Sequence, residues 1–414
     1  AATTNFMAKV LILIGAHLCT APRPQKEADA LVGLGHDVTV GGLWFDGGLI
    51  QKDKLLLKDK PWSFKPIVDF SPCHTVTNFS MRVKKRLARE RFKAFNHFTP
   101  ELLGYGARAI LKFALKTKAD LTIVHSESGL WVGCQLLERG YKVGVDFEDW
   151  FSEDLLSSAR EGRPVDKIKG LEKRLASTCR YCLTTSDVLA GALAKAYDAP
   201  KPTVVYNTFP WSEREQLDGK VCDRKDLTLP SIHWFSQTIG TGRGLETFYK
   251  ALSHVDAPAE VHLRGSYPES ARKALEPLLP SKWKRRLFIH GLVPNGELLS
   301  RIAEHDIGLA LERTDIVSRD LSVTNKLFQY MQGGLALVAT ATAGQREVLS
   351  IFGAEDNMIP CDNPVALAEV LNRLLKDANQ LASAKQASLK AAEETYCWEQ
   401  QAPALERAFG EALK

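Results

Sequence analysis

SIHWFSQTIGTGRGLETFYKAL, residues 231–252, reads as a short strand, a glycine-rich turn and the start of a helix. Ser231–Gln237 has the length and apolar middle of a strand, Gly240, Gly242 and Gly244 punctuate the turn, and a helical pattern covers 244–254. The same alternation continues downstream. AEVHLRG (259–265), RLFIHG (286–291), DIGLALE (306–312) and LALVAT (335–340) are further strand candidates, separated by helical stretches at 268–279, 295–304 and 323–333. Strands that alternate with helices in this way build βαβ units and a parallel sheet.

Upstream of Ser231 the chain has already run through one such series. KVLILI (9–14), GHDVTVGG (35–42), LTIVHS (121–126), YKVGVDFED (141–149), YCLTTS (181–186) and PTVVYN (202–207) are strand candidates with helical stretches between several of them. Residues 213–229 are polar and charged, without clear periodicity. The expected organisation is therefore α/β, with two Rossmann-like domains. The first covers 7–212, a linker 213–230, the second 231–394, and a last helix over 395–414 packs back on the first. Ligands of open α/β sheets bind beyond the carboxyl ends of the strands, so the expected site is a cleft between two facing sheets.

The bulk numbers agree with such a chain. At roughly 100–200 residues per domain, 414 residues suit two or three domains. A net charge of +5 suits an anionic substrate or surface and falls short of what argues for nucleic acid by itself. The eight cysteines, in a chain this long, do not read as a disulfide framework. Cys179 and Cys182 form one C-x-x-C without a second ligand pair at zinc spacing, which reads as two cysteines of a buried element. No run of 18 apolar residues occurs, and a cytoplasmic enzyme is expected. AATTNF, ahead of Met7, reads as an expression scar.

Two segments carry chemistry for a phosphorylated ligand. In Gly240-Thr-Gly242-Arg243-Gly244, the glycines permit close backbone approach, the following helix start offers N–H groups, and Arg243 adds a fixed charge, a set suited to a diphosphate. It is not the dinucleotide fingerprint, and neither domain has G-x-G-x-x-G after its first strand, which disfavours a nicotinamide dehydrogenase. In TNKLFQYM (324–331), Leu327, Tyr330 and Met331 form an inward stripe, leaving Asn325, Lys326 and Gln329 elsewhere on the first turns, where Lys holds phosphate and an amide holds ribose hydroxyls.

With these motifs, the sequence resembles the retaining GT-B glycosyltransferases of family 4, most strongly over about 231–350. That family has two phosphate-gripping basic sites after a strand. Arg243-Gly244 matches the second, while the first falls on Gln237-Thr238, so one arginine is absent. The family's helix with its ribose-binding Glu matches Lys326-Leu327-Phe328-Gln329-Tyr330-Met331, with Gln329 at the Glu; the preceding Glu of the motif falls on Leu321, beside Asp320. The resemblance implies a donor site at Gly15, Thr238, Gly240, Gly242, Arg243, Gly244, Asn325, Lys326, Leu327 and Gln329, with backbone near Gly291 and Val293 holding the nucleobase. It implies retaining transfer from a nucleotide-sugar to a glycan, lipid-linked or other small acceptor, without an obligatory metal or other cofactor. The departures at Thr238, Leu321 and Gln329 motivate two rivals: a catalytically silent GT-B partner or sensor, and a sugar-nucleotide epimerase.

In VDFEDWFSED (145–154), acids cluster at a strand end. Glu148 and Asp149 are the expected carboxylates for orienting an acceptor hydroxyl or stabilising positive charge on the sugar, and the family often has His near Glu148. His125 closes another strand and joins Glu148, Asp149, Arg243 and Lys326 as a candidate catalytic residue; Glu127 and His17 are further strand-end candidates. Finally, RVKKRLARERFK (82–93) sets seven cations against one acid, with Val83, Leu87 and Phe92 as a partial apolar side, which suits an anionic acceptor or peripheral contact with an anionic membrane.

Overall fold

A computed structural model describes residues 7–156, 160 and 162–414. The six residues expected to be an expression scar lie outside the described residues. By its contacts the chain forms two compact units. The first holds the described residues up to Thr185, with Leu189–Val205 and Ala402–Lys414; the second holds Ser186–Val188 and Tyr206–Gln401.

The first unit is built on a seven-stranded, all-parallel sheet. Its strands are β1 (Lys9–Leu13), β2 (Asp37–Trp44), β3 (Ser63–Asp69), β4 (Leu121–Val124), β5 (Val143–Phe147), β6 (Cys182–Thr184) and β7 (Thr203–Val204), in the order β3-β2-β1-β4-β5-β6-β7. Val10–Leu13 and the whole of β4 and β5 are buried, as continuous apolar strands covered on both faces should be. The helices that matter for the argument are α1 (Pro22–Gly33), α2 (Gly47–Leu56), α3 (Thr75–Phe95), α4 (Ala107–Thr117), α5 (Ser126–Leu137), α6 (Val165–Thr178) and α7 (Asp187–Tyr197). Cys179 and Cys182 are both buried and unbridged.

The second unit repeats the plan with six parallel strands. They are β8 (Ser231–Thr238), β9 (Glu260–Ser266), β10 (Leu287–His290), β11 (Ile307–Ala310), β12 (Ala336–Thr340) and β13 (Met358–Ile359), ordered β10-β9-β8-β11-β12-β13. Its helices are α8 (Leu245–Ala251), α9 (Glu269–Leu275), α10 (Asn295–Ala303), α11 (Val317–Leu321), α12 (Asn325–Gly333), α13 (Ala343–Leu349), α14 (Pro364–Lys376), α15 (Ala378–Glu394) and α16 (Trp398–Leu413). Alternation along β8 sends Ile232 and Trp234 into one core with Phe248, Leu263 and Leu371, and Phe235 into the other with Leu327, Tyr330 and Met331. α16 starts in this unit and ends in the first, where Phe409 lies against His36 and Tyr181.

The segment expected as a linker, 213–230, belongs to the second unit instead. The backbone N–H groups of Cys222 and Asp223 donate to Glu304, Arg224 donates to Glu260 at 3.0 Å and Asp306 at 3.2 Å, and Asp223 accepts from Arg264. Of the charges that made it look like a solvated connector, Asp218, Asp223 and Arg224 are paired with the domain that follows.

In each sheet the strand order reverses between its first and fourth strands, at β1/β4 and at β8/β11. Those are the places where a doubly wound sheet opens a crevice at its carboxyl edge.

Candidate active site

The loop after β8 has part of the expected form. Gly242 and Gly244 adopt positive φ (71° and 80°), whereas Gly240 does not. A Cβ on Gly244 would lie 2.4 Å from Cβ of Leu311, so only glycine lets this turn pass the end of β11. The N–H of Gly242 donates to the Glu246 carboxylate (2.6 Å). Arg243 is exposed and donates to Ser236 Oγ at 3.1 Å. Thr238 ends β8 in the ladder opposite Ser266.

On α12, Lys326 Nζ lies 2.8 Å from Glu312 Oε1, just beyond β11. Burial works to raise the Glu312 carboxyl, but the charge and hydrogen bond of Lys326, the Thr324 hydroxyl and the charge of Arg243 outweigh it and hold it below the usual carboxylate range. Thr340 fixes the strand end by donating to the Glu312 carbonyl at 2.6 Å. Gly244, Thr247, Glu312, Arg313, Thr340 and Cys361 line a recess of about 220 Å³, counting space open to solvent, at the carboxyl edge of this sheet.

The remaining donor candidates divide. Asn325 and Gln329 are half-buried and four residues apart, hence on one face of α12. Leu327 is fully buried in the core, so its side chain is packing and not ligand. Asp320, next to Leu321, accepts from the N–H of Ala343 at 3.2 Å and so serves the start of α13. The carbonyl of Gly291 accepts from Arg264 at 2.7 Å; Val293 is half-buried. Gly15 belongs to the first unit, where a Cβ would meet Ser126 Oγ at 2.6 Å.

In the first unit, the ends of β4 and β5 meet the first turns of α1. His125 Nδ1 lies 2.6 Å from Glu148 Oε1, and its Nε2 lies 2.9 Å from Glu27 Oε2. Burial would lower the imidazole pKa, but the two carboxylates outweigh it and push it up to about 10, so both ring nitrogens carry protons at neutral pH. Tyr181 donates to the other oxygen of Glu27. Arg23 forms a two-pronged pair with Asp146 (2.6 and 3.1 Å) and donates to the Val205 carbonyl at 2.6 Å.

Glu148 differs from its neighbours in exposure. Its side chain is 31% exposed, against 1–3% for Glu27, His125, Asp146 and Arg23. Burial acts to raise its carboxyl, but the bond and charge of His125 and the charges of Arg23 and Lys26 bring it below the ordinary value. A carboxylate of this kind is a weak base. It is well suited to accepting a hydroxyl proton's hydrogen bond or stabilising positive charge.

Asp149 lies half-buried in the bend after β5. Glu127 pairs with Arg163, and His17 is buried, its Nδ1 on Asp53 (2.9 Å) and its Nε2 accepting the N–H groups of Phe45 and Asp46, which makes it structural. Ligand atoms of Glu27, His125 and Asp146 lie within 4.8 Å of one another and could hold a metal ion. Doing so would require His125 to lose a proton and Arg23 to release Asp146.

Sequence reasoning missed Arg23, Glu27 and Glu312. For the first two, a signal was present: an oppositely charged i, i+4 pair on the helix that follows β1. For Glu312 it was an acid at the last position of a strand leading into a βα loop.

Residues 231–377 match the family profile described as "Glycosyl transferases group 1". Comparison with curated protein sequences gives no match. Among solved structures, sucrose-phosphate synthase from Thermosynechococcus elongatus is similar at 14% identity and TM-score 0.67, over 97% of this chain and 98% of that one. Anabaena HepE in complex with UDP-glucose is similar at 14% identity and TM-score 0.67, over 97% and 99%. A glycosyltransferase from Rickettsia africae is similar at 13% identity and TM-score 0.65, over 99% of both chains. At such identities the likeness is one of fold: the chain has the GT-B architecture, and its second unit contains the segment that matches the glycosyl transferases group 1 profile.

Proposed function

We propose that this protein is a retaining glycosyltransferase that moves a sugar from a nucleotide-diphosphate donor to an acceptor hydroxyl in glycan or glycoconjugate biosynthesis. The observation that carries the reading is the pairing of Lys326 with Glu312, within the charge of Arg243, at the carboxyl edge of the β8/β11 sheet. It lies inside the segment that matches the glycosyl transferases group 1 profile. The HepE complexes with UDP and with UDP-glucose support a uridine diphosphate sugar as the first donor to test.

In this reading the sugar leaves a diphosphate, and the developing negative charge is met by Arg243 and Lys326, the largest expected catalytic contribution. Lys326 must turn from Glu312 toward the phosphate to do so. Asn325 and Gln329 bind donor hydroxyls, and Glu148, backed by the His125 imidazolium, faces the acceptor hydroxyl or the cationic sugar. The reaction has no obligatory metal. The site of action is the cytoplasm, with a peripheral contact to an anionic membrane; no helix among the described residues is long and apolar enough to cross one.

A second reading, a silent GT-B partner, is supported by Leu321 and Gln329 in place of acids and by the commitment of Asp320 to α13. A thermal-shift panel of nucleotide-sugars followed by donor turnover separates the two. A UDP- or GDP-sugar that raises the melting temperature and is consumed supports transfer. Binding without turnover in the presence of lipid and glycan acceptors favours the silent partner, and conversion of donor alone to an isomeric sugar-nucleotide favours an epimerase.

A further inference from the structure

Helix α3, Thr75–Phe95, runs for 21 residues with Ala88 its only buried residue. At about 100° per residue, its two sides can be separated. Ala88, Phe92 and Lys85 share the side turned to the protein; Lys85 lies over the Tyr105 ring at 4.3 Å, and burial, chiefly, lowers its pKa. The opposite side carries Val76, Phe79, Val83 and Leu87 within an arc of about 80°. Three of these are exposed, Val76 at 82%, Phe79 at 71% and Leu87 at 50%. The apolar residues of this helix thus fall on two faces, and only one of them is used by the fold.

The outward stripe is bordered by cations on both flanks. Arg82, Arg86, Arg89 and Lys93 lie along one edge, Lys84 and Arg91 along the other, and all six are exposed. Glu90, the one acid of the helix, sits toward its end. A narrow apolar stripe between two rows of long basic side chains is the form of a helix that lies in a bilayer interface, its apolar residues among the acyl chains and its cations at the level of the headgroups.

We propose that α3 is a membrane-surface docking helix whose occupant is an anionic phospholipid bilayer, with Val76, Phe79, Val83 and Leu87 inserted and the six flanking cations on lipid phosphates. This gives the peripheral contact of the proposed function a definite surface and orientation. It is independent of the donor chemistry, so either can fail alone.

The test is co-sedimentation of the full chain with vesicles of about 70:30 phosphatidylcholine to phosphatidylglycerol, at low and high salt, with pure phosphatidylcholine vesicles as the neutral comparison. Wild-type protein should bind the anionic vesicles at low salt and release them at high salt. Reversing Lys84→Glu and Arg86→Glu together should weaken binding about ten-fold or more. Replacing Phe79→Ser and Leu87→Ser together should weaken it by a similar factor. Phe79→Trp should show a blue-shifted emission, relative to wild type, when anionic vesicles are added.

All of these side chains are exposed, so the variants should keep the wild-type melting temperature and UDP binding. Absence of binding at low salt would overturn the proposal. So would binding that responds to the charge reversals but not to Phe79 and Leu87, which would mark electrostatic adsorption at the headgroups without insertion of the stripe. Concentration-dependent dimerisation without lipid, abolished by Phe79→Ser, would assign the stripe to a second copy of the chain and also overturn it.

Discussion

Lys326 and Glu312 neutralise one another across 2.8 Å at the edge of the second sheet, and Arg243 contributes to the same field. An arriving diphosphate therefore competes with a carboxylate already in place for the Lys326 charge. Glu312→Gln should free Lys326 and tighten UDP binding by about 1 kcal/mol, the scale of one charge interaction at a partly exposed site. Lys326→Ala should weaken it by about 1.5–3 kcal/mol. Calorimetric titration reads both, and weaker UDP binding in Glu312→Gln would show that the carboxylate helps to hold the nucleotide.

Arg243 is exposed, and its hydrogen bond to Ser236 is a surface contact. Arg243→Ala should leave the melting temperature unchanged and cost about 1.5–3 kcal/mol in nucleoside-diphosphate binding. Equal affinities by calorimetry would remove this residue from the site.

Glu148 and His125 should separate function from stability. Glu148→Gln keeps a hydrogen-bond acceptor beside the imidazolium but removes the charge that reaches solvent. Turnover should fall on the order of a hundred-fold or more, with a smaller loss of stability than in His125→Ala. His125→Ala takes the counter-ion from buried Glu27, which keeps the Tyr181 hydroxyl, and should destabilise the fold by about 3–5 kcal/mol. If Glu148→Gln retains full donor turnover, the strand-end carboxylate is structural.

The same pair sets a pH dependence. The folded-state pKa of His125 is raised to about 10, so its contribution to stability is complete below the unfolded value near 6.5 and declines as pH rises toward 10. Between about pH 7 and 9 the loss should be on the order of 2 kcal/mol. Glu172 titrates below this window: burial, the largest influence, raises it to about 7, so its own stabilising effect is lost as pH climbs from about 4.5 to 7. Denaturant unfolding at several pH values should give a falling slope above pH 7 for wild type and a shallower one for Glu148→Gln; identical slopes would exclude His125 as the source.

Gly244→Ala places a Cβ against Leu311 in a positive-φ residue. A cost of about 2–4 kcal/mol follows from the backbone conformation and the clash together. A melting temperature within a degree or so of wild type would mean that the turn rearranges freely.

How much of this could be read from the chain alone depends on the range of the interaction. Val10–Leu13, Leu121–Val124 and Ala336–Thr340 announce themselves because a strand covered on both faces is apolar throughout. The strand β3, SFKPIVD, does not: Lys65 and Pro66 look like a loop, and are tolerated because β3 is at the sheet edge. Glu148 was read from its place at a strand end, Arg243 from the glycine-rich turn and Lys326 from the first turn of a helix. Arg23, Glu27 and Asp146 were not legible, since the contacts that give them meaning span 98 residues (Glu27–His125) and 123 residues (Arg23–Asp146) of sequence. Leu327 was read two ways, as part of the inward stripe with Tyr330 and Met331 and, by the resemblance, as a donor residue; its side chain follows the stripe. The outward stripe of α3 was invisible: periodicity shows that Val83, Leu87 and Phe92 are apolar, not that the fold covers only Phe92's side.

The stretch Asp218–Asp226 has a consequence for how such a protein is inherited. Because Asp218 holds Arg301, Asp223 holds Arg264 and Arg224 holds Glu260, the second unit begins chemically before its first strand. A recombination point at Ser231 would hand the new host a domain in which buried Glu260 and Arg264 had lost Arg224 and Asp223, and Arg301 had lost Asp218 while keeping Glu304. A crossover near Tyr206 would carry the matched set intact, so that the seam between exchangeable parts lies some twenty-five residues upstream of the point where the second sheet begins.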